Sequence, residues 1–329
     1  MFELPDRLYV YNVGELIQMS KRAIGLGEDR IAIDAKALTY VDPAGLCTLG
    51  CILRKLDTLD ISIELANLDE EMAAYLERMD LFRNCRVINA PEEAGARRDR
   101  TDSLVELRCV ANVAEIEDCA RRLAQTMVGA VRGMRLDDRP DEMTGKSDVD
   151  RFEQPLQYVL GELLENALTH ARARGHNDAN AWVAAQYYPK KHLVRLAVVD
   201  DGCGFLESLR GHSALASDTH FAAIKAALQP RVSRNRDVAL GGESANEGVG
   251  LTVTRQIALS TGGAIALFSG NSWIIDHQEN RREAREVSSW QGVGVFLELH
   301  RDRLLDLDMA SIMRALPGYA LVKGLRFED

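Results

Sequence analysis

The stretch Gly161-Glu162-Leu163-Leu164-Glu165-Asn166-Ala167-Leu168-Thr169-His170 constrains this chain more than any other. Leu156, Leu160, Leu163, Ala167 and Ala171 recur at three- and four-residue steps, which predicts a helix with one apolar stripe. Glu162, Asn166 and His170 stand four residues apart, so they lie one above the other on a second stripe. A core helix has no need of an acid and an amide aligned beside its apolar face, whereas a site for a metal nucleotide does. Asn offers a neutral oxygen to Mg²⁺, a hard cation that keeps most of its waters. A Glu one turn earlier can take a proton from a water or a hydroxyl. The same residues also suit a solvated helix face, so the reading depends on what else the chain carries.

A length of 329 residues predicts two domains or three. The formal charge of −10 argues against a general nucleic-acid surface. No apolar run approaches a membrane span, and the N-terminus lacks the order of a secretory signal. The six cysteines are scattered, and only Cys47 and Cys51 are close, with no His nearby. Reduced thiols packed in a core are expected rather than zinc ligands or disulfides. The expectation is a cytoplasmic protein.

Residues 1 to about 90 read as a small α/β domain. Arg30-Ile31-Ala32-Ile33-Asp34 is a strand, and Asp42-Pro43 opens a helix with Pro in its first turn. Leu46, Leu49, Leu53 and Leu56 give that helix a buried face. Ile61-Ser62-Ile63-Glu64-Leu65 alternates as a strand, and Glu70 to Met79 is a second helix, ending in Asp80-Leu81-Phe82. This order implies parallel pairing with right-handed crossovers. The segment Ile31-Ala32-Ile33-Asp34, then Tyr40-Val41-Asp42-Pro43-Ala44-Gly45-Leu46, resembles the STAS domain, the anti-sigma-antagonist fold. Phosphorylatable members of that family follow the Asp with two small hydroxyl residues. Here Pro43 and Ala44 stand in those places, so the resemblance implies a docking or sensing module without a phosphoacceptor.

Residues 93–103 are polar and read as a linker, followed by a strand from Leu104 to Val110. A long amphipathic helix then carries Val113, Ile116, Ala120, Leu123, Met127 and Val131. Residues 135–151 are charged. Gly145-Lys146-Ser147 is not a phosphate loop, because position 140 is Pro and no strand precedes it. After the 160s helix, a strand from Leu193 to Val199 runs into Asp200-Asp201-Gly202-Cys203-Gly204-Phe205. An acid at a strand end before Gly-x-Gly lets a flat ligand approach the backbone, and Asp200 could accept from an exocyclic amine. A plain β-turn has the same composition.

From Leu206 to Glu247 the pattern is irregular apart from a short helix at Phe221 to Leu228. Arg231, Arg234, Arg236 and Gly241-Gly242 suggest a basic lid over a phosphate. Asn246-Glu247-Gly248-Val249-Gly250-Leu251 opens a helix that runs to Ser260, and glycines there leave backbone N–H groups free to face an anion. Strands are expected at Ala264 to Phe268, Trp273 to Asp276 and Gly292 to His300, with a charged insertion from Gln278 to Glu286. Residues 303–329 read as a helix, Pro317-Gly318 and a final strand.

These motifs in this order, over residues 104–302, resemble the GHKL ATP-binding fold, the superfamily of gyrase, MutL, histidine kinases and anti-sigma-factor serine kinases. The resemblance implies an α/β architecture: a STAS-like domain at 1–92 and a Bergerat-fold sandwich with a helix layer on a mixed sheet. It implies that Glu162 is the general base, Asn166 the Mg²⁺ ligand and Asp200 the adenine-reading acid. Gly202 and Gly204 would shape the pocket wall. Gly248, Val249, Gly250 and Leu251 would open the helix that cradles the phosphates, and His170 sits where many members place a His or Lys. Many members carry Gly-Thr where this chain has Gly292-Val293. Val293 lacks the hydroxyl that supports the acid, so a water or another side chain must substitute, or nucleotide affinity is reduced.

No His precedes His170, which disfavours a self-phosphorylating histidine kinase. The expectation is an ATP- and Mg²⁺-dependent ATPase or protein serine kinase resembling anti-sigma-factor kinases. The alternative is a non-catalytic switch gated by ATP. A protein partner at the STAS-like domain is expected and a homodimer is left open. Neither nucleic acid nor membrane is expected as a partner.

Overall fold

The computed structural model describes residues 1–91, 97, 100–129, 139–140, 142–143, 145, 147, 149–230, 232, 250–278 and 280–314. Several expectations lie outside the described residues. They are residues 93–96, 98 and 99 of the 93–103 linker, Val131, Lys146, the lid with Arg231, Arg234, Arg236 and Gly241-Gly242, the segment Asn246-Glu247-Gly248-Val249, and Pro317-Gly318 with the final strand.

The N-terminal part runs β1 (Phe2–Glu3), β2 (Arg7–Leu8), α1 (Val13–Leu26), β3 (Arg30–Asp34), β4 (Tyr40–Val41), α2 (Pro43–Thr58), β5 (Ser62–Ala66), α3 (Glu70–Arg78) and α4 (Leu81–Asn84). Strands β1, β3 and β5 form a parallel sheet in that order, with Ile31 opposite Ile63. Strands β2 and β4 pair separately, also in parallel. The expected parallel crossovers are present, while β1, β2, α1 and β4 are additions to the expected order. Helix α2 starts where Asp42 accepts a hydrogen bond from the Gly45 N–H at 3.1 Å, and Pro43 occupies its first turn. Its burial is not confined to the expected leucine face. Cys47, Gly50 and Cys51 are buried too, as befits a helix covered on both sides. All six cysteines are free thiols, as expected.

The C-terminal part runs β6 (Leu104–Val110), α5 (Ile116–Val128), α6 (Gln154–Ala171), β7 (Ala181–Tyr188), β8 (Leu193–Asp200), α7 (Gly204–Leu209), α8 (His220–Ala227), α9 (Gly250–Ser260), β9 (Ala264–His277), β10 (Arg281–His300) and α10 (Met309–Arg314). Five strands form one sheet in the order β6-β7-β8-β10-β9. Every pairing in it is antiparallel, in place of the expected mixed sheet. Two connections require it: β7 joins β8 through a 3-10 turn at Pro189–Lys191, only three residues separate β9 from β10, and such short links fit only antiparallel neighbours.

Three further differences have local causes. The amphipathic helix begins at Ile116, because Val113–Glu115 is a tighter 3-10 turn that leaves Val113 exposed. The strands at Ala264 and Trp273 are one continuous β9. The charged segment is no insertion: from Arg281 onward it is the first half of β10, and Arg281 lies opposite Asp276 and bonds it at 2.8 Å.

The sheet is apolar on both faces. On β8, Val194, Leu196 and Val198 join a core with α5, α6 and α9. Ala197 and Val199 point the other way, into a core shared with α2. Trp182 and Ala184 on β7 follow them, while Val183 and Ala185 face the helices. Helix α2 therefore lies across the back of β7 and β8. A Cβ on Gly50 would come within 2.8 Å of Leu107 Cδ2 and 3.2 Å of the Trp182 ring, so the close approach needs glycine there.

Polar ties complete this seam. Arg195 on β8 donates to Tyr40 Oη at 2.9 Å, Asp42 Oδ2 at 3.3 Å and Glu298 Oε2 at 2.8 Å. Tyr75 Oη donates to Gln186 Oε1 at 3.0 Å, and the Leu107 N–H donates to the Met79 carbonyl at 3.0 Å. Burial lifts the Asp42 carboxyl to about 6, although Gly45 and Arg195 pull it down.

Candidate functional site

Helix α6 crosses the front of the sheet. Leu156, Leu160, Leu164 and Leu168 are buried in the core with α5 and α9. Leu163 and Ala167 also pack on that core, and with Ala171, the far side of the predicted apolar stripe, they wall a cleft of ≈ 740 Å³. Asn166 and His170 share that wall. Val198 and Asp200 at the end of β8 face it, with Gly204, Phe205 and Ser208 from α7, Leu251 from α9, and Val293 and Val295 from β10.

Asp200 is buried, and its Oδ1 accepts from the Gly202 N–H at 3.0 Å and from the Val293 N–H at 3.2 Å. Burial raises its carboxyl to about 8, with the Gly202 N–H pulling it down and neighbouring Asp201 pushing it further up. Val293 thus supports the acid through its backbone, which corrects the expectation that a water or another side chain must do so. The Asn166 amide oxygen Oδ1 is buried without a hydrogen-bond partner among the described residues. A buried carbonyl-type oxygen left open at a cleft wall is what a hard cation's ligand requires. His170 Nδ1 lies 3.0 Å from Ser208 Oγ, which holds the ring against the cleft.

The remaining predicted residues act on the shape of the site. A Cβ on Gly202 would lie 2.2 Å from Ala171 Cα, so the turn after Asp200 can pack on α6 only with glycine there. Gly204 has φ +76. A Cβ on Gly250 would lie 2.9 Å from Glu162 Cβ, which places the start of α9 directly against Glu162. Glu162 is buried at that helix contact rather than in the cleft wall proper. The structure therefore brings Asn166, His170, Asp200, Gly204 and Leu251 into one wall, with Glu162, Gly202 and Gly250 behind it. Gly248 and Val249 lie outside the described residues.

Sequence reasoning missed a supporting layer. Trp290 Nε1 donates to the Asp200 carbonyl at 2.9 Å. Ser269 Oγ donates to the Gly292 carbonyl at 2.9 Å and accepts from the Phe205 N–H at 3.1 Å. The β9/β10 register breaks between Trp290 and Val293, and Gly292 has φ +128. This bulge delivers the Val293 N–H to Asp200, and an isolated glycine inside a strand pattern was its available signal.

Residues 152–299 match the family model of the histidine kinase-, DNA gyrase B-, and HSP90-like ATPases, and residues 1–94 match the STAS domain. The chain joins a STAS domain to a GHKL-type ATPase domain. No curated protein matches it.

Among the described residues, the GHKL domain holds no cluster of three or more His, Cys, Asp or Glu that could bind a metal. A site that takes Mg²⁺ through one amide and the phosphates of a nucleotide needs none. In the STAS domain, Pro43 and Ala44 are buried at the start of α2, whose N-cap Asp42 is bonded by Arg195 of the GHKL sheet. No described helix is long and apolar enough to cross a membrane.

Proposed function

We propose that the front cleft binds Mg-ATP and that the protein is an ATPase or a protein serine kinase resembling anti-sigma-factor kinases. The reading rests on one convergence: a buried acid at the floor of an apolar cleft and an unpartnered amide oxygen on its wall. Both protein hydrogen bonds to the Asp200 carboxyl among the described residues end on Oδ1, leaving Oδ2 for the exocyclic amine of adenine. Leu163, Val198 and Val295 supply the apolar surfaces for the base. Asn166 would hold Mg²⁺, which supplies charge neutralisation for the phosphates. Glu162 takes the proton from the attacking water or serine, and its contact with Gly250 keeps it at the phosphate end of α9. The start of α2 offers no serine substrate, since Pro43 and Ala44 carry no hydroxyl and lie buried, and we assign that role to another protein. A protein partner would meet the STAS domain on a surface other than the start of α2.

A second reading, a switch without turnover, has one observation in its favour. Helix α2 rests on β7 and β8 directly behind the nucleotide cleft, so ATP occupancy could alter the STAS surface without chemistry.

The deciding experiment incubates the protein with Mg²⁺ and γ-labelled ATP and separates free phosphate from labelled protein, with added STAS-type serine proteins in one arm. Glu162→Ala is expected to lower turnover about 10²- to 10⁴-fold while nucleotide still binds. Full turnover in that variant would remove Glu162 from catalysis. Tight binding with no turnover in any arm gives the switch.

A further inference from the structure

A second cleft, ≈ 1360 Å³, opens behind the Asp200-Asp201 turn between the STAS and GHKL domains. Lys55 enters it from the last turn of α2, Arg172 from the end of α6, His176 and Asn180 from the loop before β7, Asp201 from the turn and Gln291 from β10. Its character is opposite to that of the front cleft, since it is polar and contains cations that form no salt bridge among the described residues. Lys55 is half-buried, and its ammonium forms no ion pair or hydrogen bond among the described residues. Arg172 is fixed by two carbonyls, Nε to Ala179 at 2.9 Å and a terminal nitrogen to Ala111 at 2.6 Å, and no described carboxylate pairs with it.

Among the described residues, the acids in this wall form no salt bridge with Lys55 or Arg172. Asp201 Oδ1 already accepts the Asn180 N–H at 2.9 Å, and burial raises its carboxyl against the opposing pull of that N–H, Lys55 and His176. Asp178 is exposed. Arg54 at the rim is paired with Asp57 at 3.1 Å and is not counted among the open cations. Lys55, Arg172 and His176 come from three separate elements. A tetrahedral oxyanion can accept donors from several directions, while a carboxylate takes them in one plane.

The position of the cleft ties it to the front of the sheet. Arg172 follows the last residue of the helix carrying Glu162 and Asn166. Asp201 follows Asp200. Gln291 precedes Gly292-Val293, whose N–H holds Asp200. Lys55 belongs to the STAS domain. One ligand would thus touch the sequence neighbours of three nucleotide-site elements and the helix that covers the back of the sheet.

We propose that this cleft is an effector site for a small phosphate-bearing molecule, linking α2 of the STAS domain to nucleotide affinity in the GHKL domain. The site stands by itself, whereas the coupling rests on the nucleotide reading above.

The test uses the full chain with inorganic phosphate as the probe, titrated calorimetrically with the front cleft filled by Mg²⁺ and a non-hydrolysable ATP analogue. Saturable one-to-one binding is expected, weakened at least tenfold by Lys55→Gln and retained by Lys55→Arg. Phosphate should also shift the dissociation constant of the analogue at least fivefold, and Lys55→Gln should abolish that shift while leaving analogue affinity in phosphate-free buffer unchanged. Absence of saturable binding, or equal binding in Lys55→Gln, would overturn the site. Lys55-dependent binding without any shift in analogue affinity would overturn the effector role. Repeating the Lys55→Gln comparison without nucleotide tests the site independently of whether the front cleft takes ATP.

Discussion

On β8, Val198 and Val199 are neighbours in sequence and serve opposite ends. Val198 walls the front cleft, and Val199 lies under α2. The two faces of the sheet differ in the same way throughout. At the back, Trp182, Ala197 and Val199 meet a helix that approaches closely enough to require Gly50. The front keeps a cleft open, buries an acid whose charge burial disfavours, and among the described residues leaves an amide oxygen without a partner. Such features destabilise a fold and persist only where the surroundings hold them in place. The back face supplies that support, and the strand period of two lets one β-strand serve both purposes.

The largest expected effect tests whether the faces are separable. Trp182→Ala should cost about 3–5 kcal/mol in urea unfolding, the usual range for truncating a fully buried aromatic ring. Nucleotide affinity of the folded variant should stay within about twofold of wild type if the front face is independent; a parallel loss would show that the faces act as one unit.

Asp200→Asn should move nucleotide affinity and stability in opposite directions. Nucleotide affinity should fall about ten- to a hundredfold, the range of one charge-assisted hydrogen bond of roughly 1.5–3 kcal/mol. Stability of the nucleotide-free protein should rise. The Asp200 carboxyl titrates near 8 when folded, against about 3.9 in an unfolded chain. Between those values the folded protein holds a proton that the unfolded chain lacks, so wild-type stability falls as pH rises through that window. Asn has no such dependence. The stability advantage of the variant should therefore grow with pH and level off above about 8, while wild-type nucleotide affinity climbs towards the same pH. Asp42, near 6, contributes equally to both proteins and cancels in the difference. Unfolding curves at several pH values, with and without nucleotide, would check both signs.

Val293→Thr should tighten nucleotide binding by no more than about fivefold, or roughly 1 kcal/mol, because the Val293 N–H already supports Asp200. A larger gain in a binding titration would mean that the backbone bond is a poor substitute for the hydroxyl. Trp182→Phe should change stability least, within about 1 kcal/mol. Trp182 Nε1 is buried without a partner among the described residues, so removing that donor offsets part of the lost ring volume.

What the sequence made legible was local. The α6 stripe, the Asp200 turn, and the starts of α2 and β8 follow from periodicity and end signals within ten residues or so. Strand β7 did not announce itself, because Ala181-Trp182-Val183-Ala184-Ala185 is buried on both faces and shows no alternation. The charged start of β10 looks like an insertion in sequence because it extends as a ribbon in which charge is tolerated, with Arg281 and Arg282 exposed. The bulge that turns the Val293 N–H onto Asp200 depends on Gly292, Ser269 and Trp290 meeting in space. The seating of α2 on the sheet was hidden for the same reason: Cys47 and the Ala197 carbonyl it approaches at 3.8 Å are 150 positions apart.

That separation has a meaning in time. A ribosome finishes α2 at Thr58 well before it finishes β7 at Tyr188 and β8 at Asp200. At the usual ~5–20 residues per second, the interval is on the order of ten seconds. Throughout it, a nascent STAS domain displays the outer side of a helix whose permanent cover has not yet been made. The chain thus emerges with a template waiting for its sheet, and the N-terminal domain is the mould on which the nucleotide domain is cast.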